Sequence, residues 1–328
     1  MSERFLVTGA LGCIGAWAVK RLLAEDVAVY AYDLPGSEHR LRLILEEAQL
    51  ARINRISGDV TDFEQFDKTV ADNGITHILH LAALQVPFVR ADPVRGTRVN
   101  AVGTTIVLET ARRHADQVQG VAYASSAAVY GPPERYPRGP LANDAPHDPT
   151  NLYGVTKQAN EGTARIYWLE NQVRSVGIRP YVVYGPGRDQ GMTSTPTKAM
   201  LAAALGRPYH ISFGGTVVYH HADDAAEMFI RAARSRSPGA DVFNLGGNTA
   251  TMDEIVAAIT AAVPDMAGKI TFEPIQLATP TEIDESMLVR ALGASNWRPL
   301  AEGVRQTIEH FRHASATGKV AVDEILAK

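Results

Sequence analysis

Short apolar runs alternate with amphipathic stretches along the first half of the chain. Five runs predict buried strands, at 4–8, 27–33, 51–57, 77–83 and 118–126. The intervening stretches predict helices at 13–24, 38–50 and 92–114. Strands that alternate with helices indicate right-handed crossovers and a parallel sheet covered on both faces. The pattern therefore predicts an α/β fold with a doubly wound, Rossmann-like parallel sheet.

The second half of the chain is less regular. A loop rich in proline at 131–150 precedes a long helix at 151–171 and a strand at 175–185. Beyond it, we expect helices at 197–205, from 221 onwards, and at 252–262, 282–292 and 300–312, with short strands at 208–213, 215–220 and 241–247. We therefore predict a dinucleotide-binding domain at 1–184. Residues 185–328 form mainly a smaller, mixed α/β substrate-binding lobe that partly interleaves with the sheet domain.

Composition narrows the class of protein. The chain has 328 residues, of which 45% are hydrophobic and 21% charged, as in a soluble globular protein. A net charge of -4 predicts neither a nucleic acid nor an anionic membrane as a partner. The first strand begins at Arg4, and the single cysteine, Cys13, leaves no internal disulfide or cysteine-rich metal site. We expect a cytoplasmic protein that lacks a metal.

Three glycines lie between the first strand and the first helix, in TGALGCIG. Gly9 suits a tight turn, Gly12 lets a phosphate approach the backbone, and Gly15 lets the helix pack on the strand. The start of a helix presents free N–H groups and a partial positive charge, which favour a pyrophosphate. A glycine turn without a ligand remains the alternative. Cys13, inside the turn, is interpreted as a small filler residue.

An acid at the end of the second strand favours NAD. Asp33 lies 18 residues after Gly15, where a carboxylate meets the adenosine ribose hydroxyls. The same carboxylate would repel a 2′-phosphate, whereas Arg40 and Arg42 further on weigh slightly the other way. An ordinary acid at the end of a strand is the alternative interpretation.

Together these motifs resemble the extended short-chain dehydrogenase/reductase family, the group of sugar epimerases and dehydratases. The resemblance rests on TGALGCIG, Asp33, GDVTD, HLAA, VNAVGT, SSAAVYG, YGVTK, YVVYGPG and HADD, in that order. It implies NAD as cofactor and a homodimer. It implies cofactor contacts from Gly9, Gly12, Cys13, Ile14, Gly15, Asp33, Asp59, Val60, Leu81, Ala82, Ala83, Asn100, Tyr153 and Lys157.

The catalytic chemistry can be argued from residue spacing. Tyr153 and Lys157 are four residues apart and share one face of a helix. A free tyrosine has a pKa of about 10 and is a poor base at neutral pH. We expect the ammonium group, together with the nicotinamide cation, to lower the pKa of Tyr153. Tyr153 then takes the proton from a substrate hydroxyl that Ser126, at the end of the fifth strand, also holds.

Departures from the family pattern point to the substrate. Ala127 and Ala128 stand where 4,6-dehydratases carry an Asp-Glu pair, which excludes dehydration. Val182 and Val217 stand where enzymes acting on nucleotide sugars usually carry Asn and Arg toward a diphosphate. A diphosphate against two valines would leave its charge uncompensated. We therefore expect a smaller carbohydrate, such as a sugar acid, a free sugar or a polyol.

Other polar residues are weaker candidates for the site. Gln85 and Arg188, together with Ser126, are the predicted substrate contacts, although Arg188 fits a solvated loop arginine equally well. His220 and His221 are adjacent on a strand and point to opposite faces, which argues against a shared metal.

Three functions remain open at this point. The leading prediction is an NAD-dependent dehydrogenase that oxidises a secondary alcohol of a small carbohydrate. An epimerase that uses the same residues is the first alternative, and a non-catalytic NAD(H)-sensing protein is the second. In the dimer, helices 92–114 and 151–171 would pair with their counterparts through Ala159, Ala164, Ile166 and Trp168.

Overall fold

The centre of the molecule is a seven-stranded parallel sheet. The computed structural model describes residues 2–327. The strands of this sheet are β1 (Arg4–Thr8), β2 (Ala28–Asp33), β3 (Asn54–Ser57), β4 (His77–His80), β5 (Gly120–Ala124), β6 (Ser175–Arg179) and β10 (Ala240–Asn244). Their spatial order is β10-β6-β5-β4-β1-β2-β3. This is the predicted doubly wound arrangement, in which strand order reverses beside β1.

Helices cover both faces of the sheet. They are α1 (Cys13–Ala24), α2 (His39–Ile44), α3 (Glu47–Leu50), α4 (Phe63–Asp72), α5 (Val86–Ala91), α6 (Pro93–Thr97), α7 (Gly103–Arg113), α8 (Leu152–Asn171), α9 (Thr195–Ala204), α10 (Ala222–Arg234), α11 (Met252–Ala262), α12 (Ser286–Leu292), α13 (Leu300–Ala316) and α14 (Val322–Leu326). Within residues 2–327, no helix combines the length and apolar character needed to cross a membrane.

Side chains that alternate along β1 build two separate cores. Phe5 and Val7 pack with α1 and α10 on one face, whereas Leu6 packs with α4, α7 and α8 on the other. Because all three side chains are fully buried, the strand is a near-continuous apolar run, as a parallel sheet covered on both faces requires.

The remaining strands form a lobe at one end of this sheet. β7 (Val182–Tyr184), β9 (Thr216–His221) and β11 (Asn248–Thr251) make a three-stranded sheet, and β8 (Tyr209–Ile211) pairs with β12 (Ile270–Phe272). A third apolar core lies among these strands, α9, α11 and α13. The chain after residue 185 also supplies β10 and α10 to the central sheet, so the two parts interleave.

Three predicted elements are divided in the structure. The helix expected at 38–50 is two short helices, because the backbone is extended at the buried Leu45. The helix expected at 92–114 consists of α6, a π-helical turn at Arg98–Val102 and α7. The strand expected at 175–185 is β6 and β7, which belong to different sheets. Pro180 lies between them and has no N–H group to continue a ladder.

Candidate active site

The glycine turn between β1 and α1 is tightly constrained. Gly9 has a positive φ of 69°, and a Cβ there would lie 2.7 Å from the backbone nitrogen of Ala82. A Cβ on Gly15 would overlap the carbonyl oxygen of Gly9. Helix α1 starts after Gly12 without a side-chain cap, which leaves the N–H groups of its first turn available. The turn therefore has the geometry of an anion site.

A cavity of about 690 Å³ lies at the carboxyl ends of the central strands. Its volume is within the usual range for small-molecule sites. The structure brings together nearly all the predicted site residues along its wall: Gly9, Gly12, Cys13, Ile14, Gly15, Asp33, Asp59, Val60, Leu81, Ala82, Ala83, Gln85, Ser126, Tyr153, Lys157 and Arg188.

The carboxylate of Asp33 is held at the end of β2, where it lines this cavity. It accepts hydrogen bonds from the backbone N–H groups of Leu11 and Leu34, each at 2.9 Å. Burial raises the pKa of Asp33, and the two backbone donors and Arg40 oppose this rise. Arg40 itself donates to Asp189 and to the Leu11 carbonyl. It is therefore not available as a free partner for a 2′-phosphate.

Asn100 does not line the cavity among the described residues. It is buried in the π-helical turn, where its oxygen accepts from the Leu84 N–H group at 2.7 Å. Its amide nitrogen donates to the Leu84 carbonyl at 2.9 Å and to Thr156 at 3.3 Å. Asn100 thus fixes the loop that follows β4, and its contact with the cavity is indirect.

Ser126, Tyr153 and Lys157 converge at the end of β5. Ser126 lies close enough to the Tyr153 hydroxyl to act on its pKa. The Lys157 Nζ atom donates to the carbonyl of Ala124 at 2.7 Å and lies 5.6 Å from the centre of the Tyr153 ring. A Cβ on Gly154 would overlap the carbonyl of residue 128, so this glycine allows α8 to start close against β5.

Burial governs the electrostatics of this group. It raises the pKa of Tyr153, while the Ser126 hydrogen bond and the charge of Arg188 oppose the rise. In the chain by itself the direction is thus opposite to the lowering that the sequence predicts. Burial also lowers the pKa of Lys157 to about 8, against the attraction of Glu161. The pKa of this amine therefore lies close to neutral pH.

A buried polar network supports α8 beneath these residues. Glu161 accepts from Arg179 at 2.7 and 2.8 Å and also from the Ser125 hydroxyl. Arg179 reaches Asn244 and the Tyr130 hydroxyl. The sequence analysis missed this network. The sequence offered one indication of it, because Glu161 follows Lys157 by four residues and its carboxylate therefore lies on the same buried face of one helix.

The substrate end of the cavity combines apolar walls with isolated polar groups. Ala127, Ala128 and Val182 line it, as the sequence comparison with dehydratases and nucleotide-sugar enzymes anticipates. Val217 does not line it. This valine is fully buried in the core of the lobe, behind the wall of the cavity. The Tyr181 hydroxyl is buried without a hydrogen-bond partner.

The two adjacent histidines have separate roles. The Nε2 atom of His220 accepts from the N–H group of Tyr181 at 2.9 Å. His221 lies near Asp223 and Asp224, and this group is compact enough to hold a cation. However, Arg298 forms ion pairs with both aspartates, at 2.9 Å to Asp223 and at 3.2 Å to Asp224.

A second arginine also neutralises this cluster. Arg21 donates to Asp223 at 2.5 Å. The two carboxylates therefore face two guanidinium groups, and no negative charge is left over to attract a divalent cation.

Comparison with known protein families matches residues 5–246 to the NAD dependent epimerase/dehydratase family. The chain belongs to this family. A UDP-glucose 4-epimerase of Mycolicibacterium smegmatis is 32% identical over 329 residues, which span 95% of this chain and 99% of that protein. The membership shows that the chain is an NAD-dependent enzyme, and it sets aside the non-catalytic sensor.

Solved structures agree on the fold. The UDP-glucose 4-epimerase of Thermotoga maritima with UDP-glucose has a TM-score of 0.81 at 22% identity, covering 95% of this chain and 100% of that one. The L-threonine dehydrogenase of Clostridium difficile has a TM-score of 0.83 at 21% identity, covering 97% and 99%. The predicted doubly wound fold is confirmed.

Proposed function

We propose that this member of the NAD dependent epimerase/dehydratase family is a dehydrogenase that oxidises a secondary alcohol of a small carbohydrate. A sugar acid, a free sugar and a polyol all fit this class. The observation that carries the proposal is the convergence of Ser126, Tyr153 and Lys157 on one cavity that begins at the glycine turn.

The residues around the turn fit NAD. The N–H groups that start α1 would bind its pyrophosphate, and Asp33 would accept from the adenosine ribose hydroxyls. Asp59 and Val60 would border the adenine, while Leu81, Ala82 and Ala83 would lie along the molecule. Arg40, the cation beside Asp33, is paired with Asp189 and is not free for a 2′-phosphate. Bound NAD supplies the acceptor for the two electrons of the oxidation.

Within this site, Ser126 and Tyr153 hold the reacting oxygen. As the carbon–hydrogen bond of the alcohol breaks, the hydroxyl proton passes to Tyr153, which must be in its phenolate form to accept it, and a carbonyl forms. Lys157 holds its ammonium close to Tyr153 and would also donate to the nicotinamide ribose. Asn100 acts as a positioning residue, since it fixes the loop after β4 that borders the cavity.

The wall of the cavity supports a small substrate. Val182 lies where a diphosphate donor is expected in nucleotide-sugar enzymes, and Val217 is buried behind the wall. A diphosphate that met Val182 in place of a polar donor would lose a hydrogen bond there, which is costly. An L-threonine dehydrogenase among the structural neighbours shows that the same fold serves a substrate without a nucleotide.

Epimerisation is the second candidate, and the relative from Mycolicibacterium smegmatis, a UDP-glucose 4-epimerase, favours it. In that case the oxidised carbohydrate stays bound, turns, and is reduced again on its other face. Ser126 and Tyr153 would serve both directions. The two functions therefore differ in the release of product and NADH, which can be measured.

The deciding experiment follows the absorbance of NADH after the purified protein is mixed with NAD and a panel of aldonates, uronates, aldoses and polyols. A dehydrogenase releases NADH with one class, and Tyr153→Phe removes the signal. Tyr209→Phe is the matched control, because the Tyr209 hydroxyl makes no hydrogen bond within residues 2–327 and lies in the lobe. Conversion of a UDP-sugar without NADH release would instead establish the epimerase.

We also infer that the enzyme is a homodimer through α7 and α8. Val155, Ala159, Gly162, Ile166 and Leu169 recur at alternating spacings of three and four residues along α8, and all five are exposed. This spacing makes one apolar stripe on the helix, as in helix pairs that pack on each other.

Two of the positions predicted for the dimer lie elsewhere. Ala164 is fully buried against the central sheet, and Trp168 is half-buried. Both residues lie outside the stripe, on the neighbouring face of α8. Of the predicted set, Ala159 and Ile166 remain on the exposed face.

A further inference from the structure

Arg188, in the segment after β7, is a cation of the cavity wall without an acidic partner. Its Nη2 atom donates to the hydroxyl of Thr193 at 2.9 Å. Its Nε atom is buried and has no hydrogen-bond partner. Within residues 2–327, no carboxylate lies at ion-pair distance from its guanidinium group. Arg188 is half-buried, so its unpaired charge is partly removed from water, and an anion bound there would be favoured.

The acid adjacent in sequence does not fill this role. The carboxylate of Asp189 accepts from Arg40 at 2.5 and 2.9 Å and from His39 at 2.6 Å. These contacts tie Asp189 to two residues of α2. The charge of Arg188 is therefore left for a ligand.

A second donor lies next to Arg188. Gly191 has a φ of 90°, and a Cβ there would lie 3.5 Å from the Arg188 Nη2 atom and would overlap the Gln85 side-chain oxygen. The Gln85 amide and the guanidinium group thus flank the same glycine. The Gln85 side chain makes no hydrogen bond to another described residue, so its amide is free to donate.

Arg188 and Gln85, the two donors, line the same cavity as the proposed catalytic residues. Burial lowers the pKa of Arg188, and the nearby Cys13 thiol and Tyr153 hydroxyl oppose the change. Arg188 lines the same cavity as Cys13 of the glycine turn and Tyr153. An anionic group bound by Arg188 would stand a short distance from the alcohol.

We propose that Arg188 and Gln85 bind a carboxylate of the substrate, so that the alcohol oxidised belongs to a hydroxy acid of the sugar-acid class. This inference rests on the proposed function and selects one of its three substrate classes. A guanidinium group matches a carboxylate with two parallel hydrogen bonds, which fixes orientation as well as charge. Such orientation would present one chosen hydroxyl to Ser126 and Tyr153.

The pyrophosphate of the cofactor is another anion that Arg188 could meet, and the test separates the two. Binding of D-gluconate, D-glucuronate and D-glucitol is measured by calorimetry on NAD-saturated Tyr153→Phe protein, in which turnover is blocked. The same measurement is repeated with Arg188→Gln added, and NAD binding is measured for each protein. Arg312→Gln is the matched control, because Arg312 is exposed on α13 and makes no ion pair among the described residues.

We expect a carboxylate probe to bind and D-glucitol to bind at least about tenfold more weakly. Arg188→Gln should weaken the carboxylate about 10- to 100-fold, the range for loss of a charged hydrogen-bonded partner. NAD affinity should change less than about threefold. Equal losses for NAD and the carboxylate would assign Arg188 to the pyrophosphate and overturn the proposal.

The measurements distinguish an error in the proposed carboxylate site from an error in the proposed dehydrogenase function. NADH released by the wild-type enzyme from D-glucitol, but from no carboxylate, would overturn the carboxylate site and leave the dehydrogenase standing. Carboxylate binding that depends on Arg188, without NADH release from any probe, would support the site and overturn the dehydrogenase.

Discussion

Lys157 is the residue whose replacement tests the electrostatics of the site most directly. Its side chain is 2% exposed, and its Nζ atom has one hydrogen bond, to the Ala124 carbonyl at 2.7 Å. Burial lowers its pKa from 10.5 to about 8, although Glu161 acts in the opposite direction. Lys157→Met removes the charge and keeps a side chain of similar length.

The magnitude follows from this pKa. A lowering from 10.5 to about 8 means that the folded protein holds the ammonium form at a cost of about 3 kcal/mol. Methionine removes this cost and loses a hydrogen bond worth about 1 kcal/mol. We therefore expect the free energy of unfolding of Lys157→Met to be about 2 kcal/mol higher than that of the wild type at pH 7. The turnover of the variant should fall at least about 100-fold.

The sign of the pH dependence follows from proton binding. Between pH 8 and 10.5 the unfolded wild type binds more protons at Lys157 than the folded protein does. Its free energy of unfolding therefore rises with pH in this window, and the cost is fully present below about pH 8. The variant lacks this rise, so its advantage disappears as the pH approaches 10.5.

Urea unfolding of both proteins from pH 7 to 10.5, without added cofactor, measures this difference. Lys269→Met is the control, because Lys269 is exposed, lies in the lobe and forms no ion pair within residues 2–327. The control should follow the wild type at every pH. If Lys157→Met were less stable than the wild type at pH 7, with a difference that did not change up to pH 10.5, the argument from burial would be refuted.

Three further variants test other parts of the molecule. Gly15→Ala should cost at least about 2 kcal/mol in urea unfolding and abolish NAD binding, because its Cβ overlaps the glycine turn. Asp33→Asn should lower the preference for NAD over NADP about tenfold in fluorescence titrations, and an unchanged preference would contradict its proposed role. Ile166→Arg should halve the molar mass in light scattering, whereas Ile275→Arg, also exposed but in the lobe, should leave it unchanged.

The local chemistry of the site could be predicted from the sequence because it depends on residues that are close along the chain. The strand, glycine turn and first helix occupy 4–24, and their apolar pattern and glycine spacing determine the turn. Tyr153 and Lys157 share a face because a helix repeats every 3.6 residues. The alternation of strands and helices likewise predicts a doubly wound parallel sheet.

Contacts between distant segments required the tertiary structure. Pro180 divides a continuous apolar run into strands of two different sheets, and β10 joins the central sheet from the second half of the chain. Asn100 bonds to Leu84 instead of lining the cavity, and Arg188 approaches Tyr153 across 35 residues of sequence. Apolar periodicity says that a residue is buried, but it does not say which distant group it meets.

The sequence by itself therefore determined the fold class and the cofactor, and it predicts the three residues at the centre of the proposed reaction, since each depends on local spacing. The tertiary structure decided which charges remain unpaired at the substrate end. Arg40 and Arg188 are both arginines near the cavity, yet one is neutralised by Asp189 and the other has no acidic partner in the described chain. Ion pairing depends on distances between segments far apart in sequence, and only folding sets these distances.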